Sequence, residues 1–216
     1  MAQQDWRQLL APGLIQLGVE LPDDGAVKLL TFIELLVKWN AAYNLTAVRE
    51  PTEMVSKHLL DSLTLAPYLH GKSILDVGTG AGLPGIPLAI ALPDRHFTLL
   101  DSNGKKTRFL THAATALGLK NVDVVQVRAE DYRPKEPFDT VTSRAFASLA
   151  DFLELTVHLC TPGGYWLAMK GEPPDDELRA LPAGFRLVAL HPVHVPGLDA
   201  QRCVVKIERQ VLRSGC

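Results

Sequence analysis

Ten residues constrain this chain more than any others: Asp76-Val77-Gly78-Thr79-Gly80-Ala81-Gly82-Leu83-Pro84-Gly85. They follow a short apolar run, Ser73-Ile74-Leu75, and lead into an expected helix over residues 86–92. Four glycines in eight residues let the backbone turn tightly and approach a ligand that a Cβ would push away. An acid stands just before them, at the end of the strand. A strand, a glycine turn and a helix in that order imply a nucleoside ligand at the strand's carboxyl end. The alternative is a tight turn that binds nothing, which leaves the entropic cost of four glycines without a purpose.

Gly80-Ala81-Gly82-Leu83-Pro84-Gly85 also spells the dinucleotide pattern G-x-G-x-x-G, an unspecific match when it stands alone. A pyrophosphate seeks free N–H groups at a helix N-terminus. Pro84 and Pro87 remove two of those donors. Counted from Asp76 the pattern becomes Asp-x-Gly-x-Gly-x-Gly, which resembles the first motif of Rossmann-like S-adenosylmethionine methyltransferases. A sulfonium cofactor carries no phosphate and loses little from the two prolines. An NAD-dependent oxidoreductase is the competing reading of the loop.

The rest of the pattern favours the methyltransferase architecture. Residues 1 to about 70 look helical. Trp6, Leu9, Leu10, Ile15 and Leu17 mark one apolar face, interrupted at Pro12-Gly13. A second helix starts at Pro22-Asp23-Asp24, buries Val27, Leu30, Phe32, Ile33, Leu36, Val37 and Trp39, and closes at Asn40 and Asn44. A third begins at Pro51 and runs to about His70. Strands are then expected over residues 73–77, 96–101, 122–128, 138–143 and 165–170, with helices over 84–92, 105–117 and about 148–159 between them. Such alternation implies a mostly parallel sheet with helices on both faces. Residues 185–195 and 202–210 are strand-like, and Pro196-Gly197-Leu198-Asp199-Ala200 is too short for a crossover helix, so the sheet should end in an antiparallel hairpin. The expected fold is therefore α/β, a class I methyltransferase sheet over residues 71–216 with an N-terminal helical extension over residues 1–70.

With 216 residues, 47% of them apolar, one main domain plus a small appendage is expected. The net charge of -2 and pI near 6.4 exclude a general polyanion affinity, so any nucleic-acid contact must come from a local basic face. Cys160, Cys203 and Cys216 lack C-x-x-C spacing and read as reduced thiols, with Cys160 on the helix after the fourth strand and no metal site. Residues 1–10 show no apolar leader, and no apolar run approaches the ~20 residues of a membrane helix. A cytoplasmic protein is expected.

Further site residues follow from the strand ends. Asp101, 25 residues after Asp76, can accept hydrogen bonds from both ribose hydroxyls, or it can cap the helix that follows. Arg128-Ala129-Glu130-Asp131 ends the third strand, where an adenine ring would lie; Glu130 could equally be a solvated charge. Ser143-Arg144-Ala145 ends the fourth, and Arg144 would meet a bound carboxylate or RNA phosphate, or else pair with Glu130 or Asp131. No Asn/Asp-Pro-Pro-Tyr/Phe motif for amino-nitrogen methylation lies in residues 139–146. Neither Cys160 nor Cys203 is placed to attack a pyrimidine carbon. A ring nitrogen with its own lone pair, such as guanine N7, remains permitted, because it requires alignment and no general base.

Several segments taken together resemble one family: Trp39-Asn40 with Asn44-Leu45-Thr46, His58-Leu59-Leu60-Asp61-Ser62-Leu63, the glycine segment extended through Pro84-Gly85-Ile86-Pro87, Asp101-Ser102 with Lys105-Lys106 and Phe109-Leu110, Ser143-Arg144-Ala145 and Lys170-Gly171. Their order and spacing are similar to the bacterial small-subunit ribosomal RNA methyltransferase G family, also called glucose-inhibited division protein B, over roughly residues 30–210. The resemblance implies methylation of guanine N7 at position 527, in the 530 loop of 16S ribosomal RNA. S-adenosyl-L-methionine would be the donor and S-adenosyl-L-homocysteine the product, with no metal. It implies cofactor contacts at Gly78, Leu83, Ala129, Glu130 and Arg144, to which Gly80 and Asp101 are added from the loop and the second strand. It also brings Asn40, Asn44, His58 and Asp61 near the site. Arg144, Lys170, Arg202, Asn44 and His58 are the candidates for positioning the acceptor, which would be 16S RNA within the 30S subunit or its precursor, met by a monomer. On the residues alone, His58 and Asp61 could simply bond each other. Trp39 suits the core better than a base-stacking platform. Lys105-Lys106-Thr107-Arg108 could meet RNA phosphates or form a solvated helix face. A ribosome-binding module that merely keeps the fold is the third functional class.

Overall fold

The structure, a computed structural model, describes residues 2–144 and 146–210. Ala145 and Cys216 therefore lie outside the described residues. Two helices open the chain, α1 (Ala2–Leu17) and α2 (Gly25–Tyr43). A third helical stretch follows as α3 (Pro51–Met54), a π-helical turn (Val55–Leu60) and α4 (Asp61–Leu63), ending in a 3-10 turn at Ala66–Tyr68. The alternating part comprises β1 (Ser73–Val77), α5 (Gly85–Ala91), β2 (His96–Leu100), α6 (Gly104–Ala116), β3 (Val122–Val125), β4 (Phe138–Ser143), α7 (Leu149–Thr156) and β5 (Cys160–Lys170). A short α8 (Asp175–Arg179) precedes β6 (Phe185–Pro192) and β7 (Cys203–Arg209).

The seven strands form one sheet in the order β3-β2-β1-β4-β5-β7-β6. β1 through β5 pair in parallel, and β7 joins β5 and β6 antiparallel, as the terminal hairpin requires. Successive strand side chains point to opposite faces. Ile74, Phe97, Leu99, Leu167 and Val204 pack under α1, α2, the π turn, α5 and α6. Leu75, Val77, Val141, Trp166 and Ile207 pack under α7. The N-terminal helices thus share one continuous core with the sheet. The chain reverses direction across the sheet between β1 and β4, and the carboxyl ends there form the crevice where such sheets bind ligands.

Several expectations need correction. α1 runs unbroken through Pro12, although a proline forfeits one helix bond. Burial of Trp6 and Leu10 outweighs that loss, and Gly13 lets the helix lie against the π turn, where a Cβ would sit 2.4 Å from Leu60 Cδ1. The apolar faces are narrower than the sequence suggests: Leu9, Ile15 and Val27 are exposed, Ile15 by 81%. Asn44 closes α2 with φ 51°, but Asn40 stays helical and buried, and its side chain accepts from Thr46 N at 2.9 Å. Cys160 opens β5 and is not on a helix. Strands β2 and β3 stop short of Asp101 and Arg128, which belong to the loops beyond them.

Candidate functional site

Asp76 is fully buried at the end of β1 and holds the glycine loop from within. Its Oδ2 accepts from Thr79 Oγ1 at 2.6 Å and from Gly85 N, the first residue of α5, at 2.9 Å. Gly78 N and Thr79 N bond the Leu100 carbonyl at 2.8 and 3.2 Å, tying the loop to β2. Gly80 has φ +62°, a conformation costly for a side chain, and the space beside it is open. Burial pushes the Asp76 carboxyl up to about 7, against the hydrogen bonds from Thr79 and Gly85. Its Oδ1 has no partner among the described residues. Thr79 is a site residue that the sequence alone does not mark, because its hydroxyl reaches the acid three positions earlier only through the glycine turn.

Asp101 lies beyond β2 and faces the same loop. Its Oδ2 accepts from Gly80 N at 3.0 Å and meets Lys106 Nζ at 3.5 Å, while Oδ1 accepts from Asn103 N at 2.8 Å. Asn103 caps α6, so the capping alternative for Asp101 fails. Each carboxylate oxygen can take two donors, which leaves capacity for a ligand hydroxyl. Leu83 is buried at the loop's end. Ala129 is buried in a 3-10 turn (Ala129–Asp131), and the half-exposed Glu130 stands 3.6 Å from Arg128.

A second cluster is organised around Asp61. This carboxylate, 3% exposed, takes Arg144 Nη1 on Oδ2 at 3.3 Å and Arg202 Nε on Oδ1 at 3.2 Å. Arg144 comes from the end of β4, Arg202 from just before β7, and Asp61 from the end of the π turn. Burial raises the Asp61 carboxyl, and the two guanidinium charges offset part of that rise. Arg144 also donates to the Lys57 carbonyl at 3.4 Å. The expected alternative partners, Glu130 and Asp131, are not involved. Nor do the side chains of His58 and Asp61 bond each other: Asp61 N donates to the His58 carbonyl, while His58 Nε2 pairs with Thr46 Oγ1 at 2.9 Å. Burial above all pushes the imidazole down to about 4, and the Arg144 and Lys57 charges push the same way. His58 is therefore neutral at physiological pH.

Other candidates are spent elsewhere. Lys170 Nζ pairs with Glu177 at 2.9 and 3.0 Å, and Glu177 also accepts from Leu149 N. Asn44 is exposed at the end of α2 and accepts from Arg49 at 2.8 Å. Trp39 packs among Tyr43, Phe109 and His112, as its core assignment anticipates. The basic cluster on α6 divides: Lys106 turns to Asp101, Thr107 is buried against Gln126, and Arg108 bonds the Gly104 carbonyl. Burial pushes the Cys160 thiol up to about 12 and raises Cys203, so neither is a thiolate at neutral pH.

The profile of the rRNA small subunit methyltransferase G family, GidB, matches residues 26–206. A protein of Ectopseudomonas mendocina (strain ymp) named Ribosomal RNA small subunit methyltransferase G is 55% identical over 204 residues, covering 94% of this chain and 95% of that protein. A protein of the same name from Nitrosococcus oceani is 56% identical over 199 residues, covering 92% and 93%. Among solved structures, the glycopeptide N-methyltransferase MtfA complexed with (S)-adenosyl-L-methionine aligns with a TM-score of 0.60 at 14% identity, over 71% of this chain and 88% of that one. That likeness shows the α/β Rossmann-like fold. The matched stretch contains the whole glycine loop and all three members of the Asp61 cluster, and the chain belongs to the ribosomal RNA small subunit methyltransferase G family.

Proposed function

We propose that this chain transfers a methyl group from S-adenosyl-L-methionine to N7 of a guanine at position 527, in the 530 loop of 16S ribosomal RNA. Its substrate is the 30S subunit or its precursor. Membership of the family supports the reaction class, and one feature of the site carries the rest: two arginines held by a buried carboxylate beside a glycine loop. The residues fit the cofactor, because Asp76 Oδ1 is buried beneath the loop's first glycines without a partner and Gly80 has open space beside it. Gly78, Gly80, Leu83 and Arg144 would hold the methionine portion, Asp101 the ribose, and Ala129 and Glu130 the adenine. Once bound, the cofactor supplies an electrophilic methyl on a positively charged sulfur.

Guanine N7 has a lone pair and no proton to lose, so the protein has only to align it. The acceptor side agrees with that economy. Asp61 is committed to two arginines and His58 is neutral and engaged with Thr46, so neither is arranged as a general base. Arg144 and Arg202, anchored through one carboxylate, present guanidinium groups that suit a phosphate. We further read residues 1–70 as an extension that completes the site of a methyltransferase domain over residues 71–216, since Asp61 and His58 come from it. A cytoplasmic monomer is in keeping with scattered exposed apolar side chains and with described helices too short or polar to cross a membrane.

Labelled S-adenosyl-L-methionine offered with 30S subunits, deproteinised 16S RNA and tRNA tests the reading. Label in 30S, with chain scission after borohydride and aniline at the 530 loop, is the expected result. Label confined to tRNA or to protein overturns it.

A further inference from the structure

The connection between β6 and β7, residues 193–202, borders a cleft of about 660 Å³ that shares only Arg202 with the residues assigned above. Pro173, Leu190, Pro192 and Leu198 line it with apolar surface, and Gln201 and Arg202 add polar groups. Its place is set by the sheet: Cys203 at the start of β7 pairs with Lys170 at the end of β5. The cleft therefore opens at the same sheet edge as the glycine loop. The connection is also firmly seated. Val195 is fully buried, Leu198 N bonds the Val195 carbonyl at 3.0 Å, and Gly197 sits against the π turn, where a Cβ would meet Ser56 Oγ at 2.7 Å. Arg202 is fixed by Asp61 on one side and by the Gln201 carbonyl, 2.8 Å away, on the other.

Cavities of about 300–1,000 Å³ suit small organic ligands, so the volume is ample for one nucleotide. Aliphatic and proline walls beside an anchored guanidinium match a flat base joined to a phosphate. One carboxylate shared by two arginines leaves this cluster with a net positive charge, and the exposed Asp199 on the rim is the acid that a phosphate must avoid. In the sheet order, β7 lies two strands from β4, roughly 10 Å at the usual spacing, so the cleft is displaced from the reacting centre by about a nucleotide. We infer that the cleft is a subsite for a nucleotide of the acceptor RNA that flanks the methylated guanine, its base against Leu190, Pro192 and Leu198 and its phosphate on Arg202. This assignment rests on the proposed RNA methyl transfer and gives it a second point of recognition.

Ala200 is exposed on the cleft wall, so substitutions there test the subsite without disturbing the core. Ala200→Trp should fill the cleft and Ala200→Glu should repel a phosphate. Each should raise KM for 30S subunits by about tenfold, the size expected from losing one stacked base, with kcat within about twofold. S-adenosyl-L-methionine affinity by calorimetry should stay at the parent value, which also shows that the variants fold. Ala200→p-benzoylphenylalanine, irradiated on 30S subunits, should cross-link to 16S RNA beside the methylated position. Parent-like KM in both variants, or adducts to ribosomal protein alone, overturns the subsite while leaving the methyl transfer standing. A parent enzyme that does not label 30S overturns the reaction and the subsite together.

Discussion

Asp61 and His58 sit three positions apart, and each is used differently from what that spacing suggests. Asp61 gathers Arg144 and Arg202, whereas His58 turns to Thr46 and is held neutral by burial. The histidine has a measurable consequence. Its folded pKa of about 4 lies below the ordinary free-imidazole value of 6.5, so the unfolded chain binds the proton more tightly. The stability this neutral imidazole contributes is complete above pH 6.5 and is lost as pH falls through 4, by roughly 3 kcal/mol in all. Asp76 works in the opposite sense: its carboxyl, raised to about 7, lets the folded state gain stability as pH falls from 7 towards 4. The two trends overlap in the parent, so comparison with His58→Gln is needed to separate them. In urea titrations the stability gap between parent and variant should shrink by roughly 3 kcal/mol between pH 6.5 and 4. A constant gap would show that His58 is not a buried neutral imidazole.

At the scale of elements, the site depends on two close approaches. α5 starts at Gly85, directly on Asp76 and Leu99; a Cβ there would lie 2.2 Å from Leu99 Cδ2 and 2.8 Å from Asp76 Oδ2. Gly85→Ala should cost about 1–3 kcal/mol by overpacking, a fall of roughly 2–12 °C in Tm for a chain of this length. It should also weaken S-adenosyl-L-methionine binding, because Asp76 would be forced off its bond to Gly85 N. Unchanged melting and unchanged affinity would sink the view of Asp76 as the loop's internal brace. The second approach is the π turn, which brings Ser56 against Gly197 and delivers Asp61 to both arginines. Such turns are frequent at functional sites. The sequence at residues 55–60 reads as ordinary helix, since the wider turn arises from tertiary contacts with α1 and with the β6–β7 connection.

For the whole molecule, a net charge of -2 leaves little general attraction for RNA. Recognition should therefore depend on the folded ribosomal target. A short naked stem-loop should be methylated at least tenfold less efficiently than 30S, and the slope of log affinity against log salt should be no steeper than about -4, a handful of phosphate contacts. Equal activity on the stem-loop, or a much steeper slope, would contradict this. The alternation of strands and helices, the terminal hairpin and the Asp76 to Gly85 turn were all legible in the sequence, because apolar period and glycine spacing are local properties. Asp101, Gly78 and Gly80 could be placed at strand ends for the same reason. The pairing of Asp61 with Arg144 and Arg202 could not, because its members are separated by up to 141 positions. Nor could the unbroken path of α1 through Pro12, where buried contacts overrode a local breaker. Periodicity and turn chemistry determined the fold and the glycine loop. The identity of charge partners was decided only by tertiary structure, since burial, which makes a carboxylate require two arginines, is not a property of any local segment.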